Sequence, residues 1–182
     1  MASVRRPSVI ETEPLGQPCR TFDLYFVRYP QDGDWAGVMQ RIAREAGRPQ
    51  FLGEEDNALW ERLVARVLPW LPKSEIESNG AIHELTHADS GIQFCCVPAA
   101  TVLTVPYWYV GPEAERVVGL LRRIAVAVEA ETGLIAYDPQ AEAPFLAYGA
   151  GSAVATFEQH HDPAMAAGRG KIPSARKRWR RR

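Results

Sequence analysis

Three strand-like segments follow one another in residues 80–110, and this succession constrains the fold more than any other feature of the chain. The segments are AIHELTHA, GIQFCCVPA and ATVLTVPYWYV, separated by Asp89-Ser90-Gly91 and by Pro98-Ala99. Short extended segments joined by such turns are typical of antiparallel neighbours in one sheet. The sequence therefore predicts an antiparallel meander after a turn at Asn79-Gly80, with Pro106 placing its third strand partly at a sheet edge.

The remaining periodic segments predict two more strands and three helices. Residues 21–28 and 134–137 have the composition of buried strands, and helical spacing of apolar residues follows Asp34, Asn57 and Pro112. Asp34 and Asn57 are suitable N-caps, and Gly133 follows the last turn of the third helix. This order is typical of an α+β fold, an antiparallel or mixed sheet of about five strands with three helices mainly on one face. Residues after Gln140 show only weak patterns.

Charge divides the chain of 182 residues, 46% hydrophobic and 24% charged, into an acidic body and a basic end. Residues 169–182, RGKIPSARKRWRRR, contain eight of the 21 basic residues and no acidic one. The 13 basic and 22 acidic residues that remain give residues 1–168 a net charge of −9. We expect a flexible leader over 1–20, a single globular domain over 21–168 and a disordered tail over 169–182.

The basic tail is a candidate for electrostatic contact with nucleic acid or another polyanion. Its candidate residues are Arg176, Lys177, Arg178, Arg180, Arg181 and Arg182. Folding back onto the acidic body and an effect on solubility alone are the alternatives. No apolar run approaches the roughly 18 residues of a membrane span, and no signal peptide is recognisable, so we expect a cytoplasmic protein.

One motif carries an enzymatic mechanism: His83-Glu84-Leu85-Thr86-His87 matches H-E-x-x-H. On a helix, two histidines four residues apart ligate zinc while the glutamate activates the bound water, so the segment resembles the zincin metallopeptidases. The resemblance implies His83 and His87 as zinc ligands and Glu84 as general base. Glu113 or Glu115 is then the candidate third ligand.

The surroundings of this motif favour a strand instead. Turn signals on both sides leave about nine residues, in which apolar and polar residues alternate. On a strand, His83 and His87 share a face but lie roughly 13 Å apart, too far to bind one metal ion. The preferred interpretation is two ordinary strand histidines, with no cofactor, and zinc remains the alternative.

Other candidate chemistry is weaker. A Cys–His nucleophile pair between Cys95 or Cys96 and a histidine of the preceding segment is compatible with a hairpin. Three cysteines are too few for a disulfide framework, so free thiols are expected. Residues 160–162, His-His-Asp, are interpreted as a solvated loop, and Asp138 before Pro139 as part of a turn. The sequence contains no G-x-G-x-x-G, Walker or G-x-S-x-G motif.

Tyr107, Trp108 and Tyr109 are the candidate partner-binding residues. Three successive aromatic side chains in a strand cannot all face one core, so at least one is expected to be exposed or to lie under a helix edge. Exposed aromatic residues at a sheet edge are frequent binding anchors. The alternative is a structural role at the margin of the core.

A wider resemblance rests on four stretches of the chain. They are Ile82-His83-Glu84-Leu85-Thr86, Gly91-Ile92-Gln93, Thr104-Val105-Pro106-Tyr107-Trp108 and Gly133 to Tyr137-Asp138-Pro139-Gln140. Together they resemble a group of small bacterial proteins of unassigned function, over residues 21–140. The resemblance implies a strand hairpin in its first part and assigns no catalytic residues to this chain.

These observations favour a binding protein over an enzyme. We expect a non-enzymatic protein-interaction domain, most specifically a bacterial immunity protein that neutralises a toxin by direct binding, because an acidic body complements a basic toxin such as a nuclease. The alternatives are the zinc metallopeptidase and a nucleic-acid-associated factor that uses the basic tail.

Overall fold

The computed structural model describes residues 21–46, 51–161, 163 and 166. Within them, seven strands form one antiparallel sheet in the order β2-β3-β4-β5-β1-β6-β7. The strands are β1 (Thr21–Val27), β2 (Glu75–Asn79), β3 (Ile82–His87), β4 (Ile92–Val97), β5 (Ala100–Pro106), β6 (Ile135–Asp138) and β7 (Ala143–Pro144). The helices are α1 (Trp35–Ala46), α2 (Glu54–Val67), α3 (Gly111–Thr132) and α4 (Ala150–Gln159), with a short 3-10 turn over Leu68–Trp70.

The α+β class and the antiparallel meander are confirmed, with corrections of number and position. The described sheet has seven strands rather than about five, and the elements assigned in the described residues include four helices rather than three. β5 is flanked by β4 and β1, so the expectation that Pro106 marks a sheet edge is wrong. Pro106 is instead the last residue of β5, opposite Thr21, where its missing N–H ends the strand without interrupting the ladder.

The first face of the sheet, defined as the side that carries Phe22, Leu24 and Phe26, holds the main core. Side chains of α2, α3 and α4 pack on it in one continuous apolar cluster. The Phe22 ring lies 5.0 Å from Phe157 of α4 and 5.8 Å from Phe145, centroid to centroid. Aromatic packing of this kind adds about 0.5–1.5 kcal/mol per pair to the burial of the rings themselves.

The second face, the side that carries Asp23, Tyr25 and Val27, has a smaller apolar cluster at one end. There α1 packs Val38 and Ile42 near Val27, and the Trp35 ring stacks 4.4 Å from that of Tyr137 in β6. Three of the four described helices share the first face, but α1 lies on the opposite one. Amphipathic spacing predicted the helix but carried no information about which face it covers.

Local chemistry explains where the helices begin and end. The Asp34 carboxylate accepts a hydrogen bond from the Gly37 backbone N–H at 2.8 Å, so the predicted N-cap of α1 is confirmed. The predicted cap of α2 at Asn57 is wrong, because the helix begins at Glu54 and the Gly53 N–H donates to Asp56 at 2.8 Å. Gly133 ends α3 with φ of 68°, a left-handed conformation typical of glycine.

The leader over 1–20 and the basic tail lie outside the described residues, so these two expectations stay predictions. None of the helices that the structure describes is both long enough and apolar enough to cross a membrane.

Candidate functional site

The H-E-x-x-H segment lies on β3, as its alternation predicted, and this placement separates its side chains. His83 and His87 occupy first-face positions, opposite Cys96 and Ile92 of β4. Glu84 occupies the second face, opposite Cys95. Four residues along a strand span roughly 13 Å, so the two histidines and the glutamate do not form the arrangement of a zinc peptidase.

His83 anchors α2 to the β2–β3 hairpin. Its Nε2 lies 2.8 Å from the Asn57 side-chain oxygen and its Nδ1 lies 2.8 Å from the Ser78 hydroxyl, while Trp60 stacks on the ring at 5.3 Å. The Asn57 oxygen only accepts, so a neutral imidazole donates from Nε2 and accepts from Ser78. Burial lowers the pKa of His83, and nearby Asp56 opposes that effect. Both ring nitrogens are therefore engaged in holding the fold.

The remaining members of the predicted zinc site are dispersed. His87 Nδ1 lies 2.7 Å from the Ser90 hydroxyl, at the β3–β4 turn. Glu113 and Glu115 lie in the first turns of α3. Among the described residues, no group of three or more histidine, cysteine, aspartate or glutamate side chains is placed to hold a metal ion.

The two described cysteines are free thiols, and only one of them faces a histidine. Cys96 pairs with His83 across β3 and β4, whereas Cys95 points to the second face. Burial raises the pKa of the Cys96 thiol, and a weak hydrogen bond from Thr101 at 3.8 Å does not offset that effect. A buried, protonated thiol beside a fully engaged imidazole is a structural cysteine rather than an activated nucleophile.

The aromatic cluster belongs to the core, in agreement with the structural alternative, and its partner-binding role stays a prediction. Tyr107, Trp108 and Tyr109 are 0%, 3% and 5% exposed. Tyr107 and Tyr109 both contact the Phe157 ring, so they lie under α4. This agrees with the expectation that at least one of the three side chains lies under a helix edge, although all three follow the end of β5 at Pro106 rather than standing in the strand.

Asp138 has a structural role at the end of β6. It is fully buried and accepts hydrogen bonds from the Tyr148 hydroxyl and from the backbone N–H groups of Gln140 and Ala141. Burial raises the pKa of Asp138, and these hydrogen bonds oppose that effect. Asp138 therefore fixes the turn that was predicted at Asp138-Pro139.

Residues 160–162 were predicted to form a solvated loop after the weakly patterned region. The structure places an unpredicted helix, α4, directly before them, and the His160 ring packs 5.1 Å from that of Tyr107. His160 is exposed at a turn, as predicted, while one side of its ring contacts the core; Asp162 lies outside the described residues.

A group of carboxylates on the second face, which the sequence patterns did not predict, is called here the acidic margin and consists of Glu75, Glu77 and Glu84. Glu77 of β2 lies directly opposite Glu84 of β3, and Glu75 lies opposite Thr86 on the same face. Glu75 and Glu77 are exposed, whereas Glu84 is buried and accepts a hydrogen bond from Thr86 at 2.9 Å. The signal was the two-residue spacing of Glu75 and Glu77, in a segment with too few apolar residues to indicate a strand.

The second-face positions of the seven described strands include no basic residue. Every second-face position of the seven strands holds an acidic, neutral polar or apolar residue, and Asp23 of β1 adds another carboxylate. Like charges directly opposite each other across two strands repel, so the margin concentrates negative potential. The six basic tail residues of the predicted nucleic-acid contact lie outside the described residues.

Comparison with protein-family models, with curated proteins and with solved structures gives no match for this chain. The resemblance to the small bacterial proteins therefore stays a prediction.

Proposed function

We propose that this chain is a protein-interaction domain, most specifically a bacterial immunity protein that neutralises a toxin in the cytoplasm by covering a basic face of it. The observation that carries the proposal is the acidic margin. Glu75 and Glu77 project from an exposed strand beside Glu84, on a sheet face without basic strand residues.

Charge supports the same conclusion at long range. Residues 1–168 carry a net charge of −9, from 13 basic and 22 acidic residues. An acidic surface attracts a cationic partner before contact and raises the rate of association, most strongly at low ionic strength. A toxin that acts on nucleic acid has a basic substrate face, so covering that face blocks its activity.

The zinc-peptidase alternative receives no such support. Its ligands and its general base point to opposite faces of β3, and both nitrogens of His83 are engaged by Asn57 and Ser78.

The decisive experiment coexpresses this chain with the protein encoded beside its own gene. We expect the chain to restore growth that the neighbour inhibits, and to co-purify with the neighbour as a stable complex. A Glu77→Lys variant should weaken the complex, whereas Glu61→Lys, the same charge reversal on an exposed position of α2, should leave it nearly unchanged. Growth inhibition that persists without any complex would contradict the proposal.

A further inference from the structure

We propose that the outer edge of β2 binds an extended basic segment of the partner as an additional strand of the sheet. This inference rests on the proposed function, because it specifies how the partner is held. It requires backbone hydrogen bonds between β2 and the partner segment in addition to attraction by the carboxylates of β2.

The two edges of the described sheet differ in their capacity to accept a strand. Among the described strands β2 pairs with β3 alone, and all five of its residues are exposed. An edge strand directs every second N–H and C=O away from its neighbour, where an incoming strand can pair with them. At the opposite edge, β7 has only two residues and one is Pro144, which lacks an N–H. β2 is therefore the edge that is open to strand addition.

The side chains of β2 define the chemistry of the incoming strand. Glu75 and Glu77 project to the second face, and Ile76, 45% exposed, projects to the first. Phe51, 80% exposed, lies near the β2–β3 turn, where the neighbouring Leu52 N–H donates to the Gly80 carbonyl at 2.9 Å. Cross-strand neighbours pair by charge and by apolar contact. A strand that alternates lysine or arginine with apolar residues matches both sides of this edge.

Charge argues against a second copy of this chain as the occupant. In the antiparallel β2–β2 register that pairs all five residues, Glu77 lies opposite Glu77 of the second copy. Like charges in directly opposed positions destabilise a strand pair. The glutamates therefore protect the edge from self-association while they favour a basic strand.

The test measures binding of synthetic peptides to the full chain by fluorescence anisotropy, with hydrogen exchange to locate them. The first peptide alternates lysine and valine. The second has the same composition in two blocks, and the third has the alternating sequence with an N-methyl group on every backbone nitrogen. We expect the alternating peptide to bind at least about tenfold more tightly than the other two, because only it supplies both the side-chain pattern and the N–H donors.

Protein variants locate the site. Glu77→Gln should weaken binding of the alternating peptide while Glu61→Gln leaves it unchanged, and the peptide should slow amide exchange in β2. Thermal unfolding of both variants confirms that they are folded.

Three results would overturn the inference. Equal binding of the N-methylated peptide would reduce the interaction to electrostatics, and equal effects of the two glutamine variants would place it elsewhere. Slow exchange of the β2 amides without peptide, abolished by joint replacement of Arg178 and Arg180 with glutamine, would assign the edge to this chain's own tail. Growth rescue by the unmodified chain is measured separately, so the proposed function survives each of these results.

Discussion

The two faces of the sheet differ in what their side chains contribute. On the first face, Phe22 is fully buried in a cluster of aromatic rings from α4 and the loops around it. On the second face, the strands that form the acidic margin present carboxylates, and α1 covers the other end of the sheet. The contrast holds within a single strand, since Phe22 and Asp23 are adjacent in β1.

Under the proposed function, stability and partner binding therefore depend on opposite faces of one sheet. Residues that pack on the first face remove apolar area from water, at about 25 cal/mol per Å². Exposed carboxylates on the second face contribute little to stability, and in the proposed function they select a basic partner. Substitutions on the two faces should therefore have effects that do not overlap.

The largest expected effect tests the first face directly. Phe22→Ala removes a fully buried ring that contacts Tyr107, Phe145 and Phe157, so it should lower the free energy of unfolding by about 3–5 kcal/mol. Urea denaturation followed by circular dichroism measures this loss. Glu77→Gln, an exposed change on the second face, should stay within about 0.5 kcal/mol of the unmodified chain. Similar losses in both variants would abolish the distinction between the faces.

The same contrast explains which elements the sequence predicted. The three meander strands and the long helix α3 have apolar residues at regular spacing because they border the core. β2 has one apolar residue in five and is exposed throughout, so only its pairing with β3 makes it a strand. α4 buries only Ala153 and Phe157, too few for a recognisable stripe. Elements with little buried area leave little periodicity in a sequence.

Local alternation was enough to predict the structure around His83, whereas the positions of the aromatic cluster and of the acidic margin depend on residues distant in the sequence. Alternation around His83 predicted that the H-E-x-x-H segment is a strand, and β3 confirms this. The burial of Tyr107 and Tyr109 was not predictable from local pattern, because both rings contact Phe157 of α4, a helix that begins more than 40 residues further along the chain. The acidic margin likewise requires the pairing of β2 with β3.

The second prediction tests whether a buried hydrogen bond at the end of β6 also stabilises the fold. Tyr148→Phe removes the hydroxyl that donates to the buried Asp138 carboxylate, and hydrogen bonds to charged groups contribute about 1.5–3 kcal/mol. Chemical denaturation should show a loss of that size. Tyr29→Phe is the matched control, because Tyr29 is 61% exposed and should tolerate the change. An unchanged midpoint in Tyr148→Phe would show that Asp138 does not depend on this donor.

The third prediction compares two glycines of the α3 region, which packs on the first face: Gly133 directly after the helix and Gly119 inside it. Gly133→Ala places a side chain at φ of 68° with no atom near the added carbon, so backbone strain alone should cost about 1–2 kcal/mol. Gly119→Ala, also without a close neighbour but inside α3, should stabilise by up to about 1 kcal/mol. Thermal unfolding of the pair measures both signs. A shift in the same direction for both would show that helix propensity and backbone strain are not the controlling factors.

The smallest effect concerns pH and His83, the polar residue that joins α2 to the margin of the first face. Burial holds the pKa of His83 below its ordinary value of 6.5, with Asp56 as the opposing influence. The unfolded chain therefore takes up a proton at this site first as the pH falls, and the free energy of unfolding decreases below pH 6.5. Above that pH His83 is neutral in both the folded and the unfolded chain, so its contribution to the free energy of unfolding is fully present.

Urea denaturation across this range should give a shallower acid dependence for His83→Gln than for the unmodified chain, because glutamine does not titrate. Identical pH profiles would mean that His83 has the same pKa in the folded and the unfolded chain. That result would contradict the effect expected from its buried contacts with Asn57, Ser78 and Trp60.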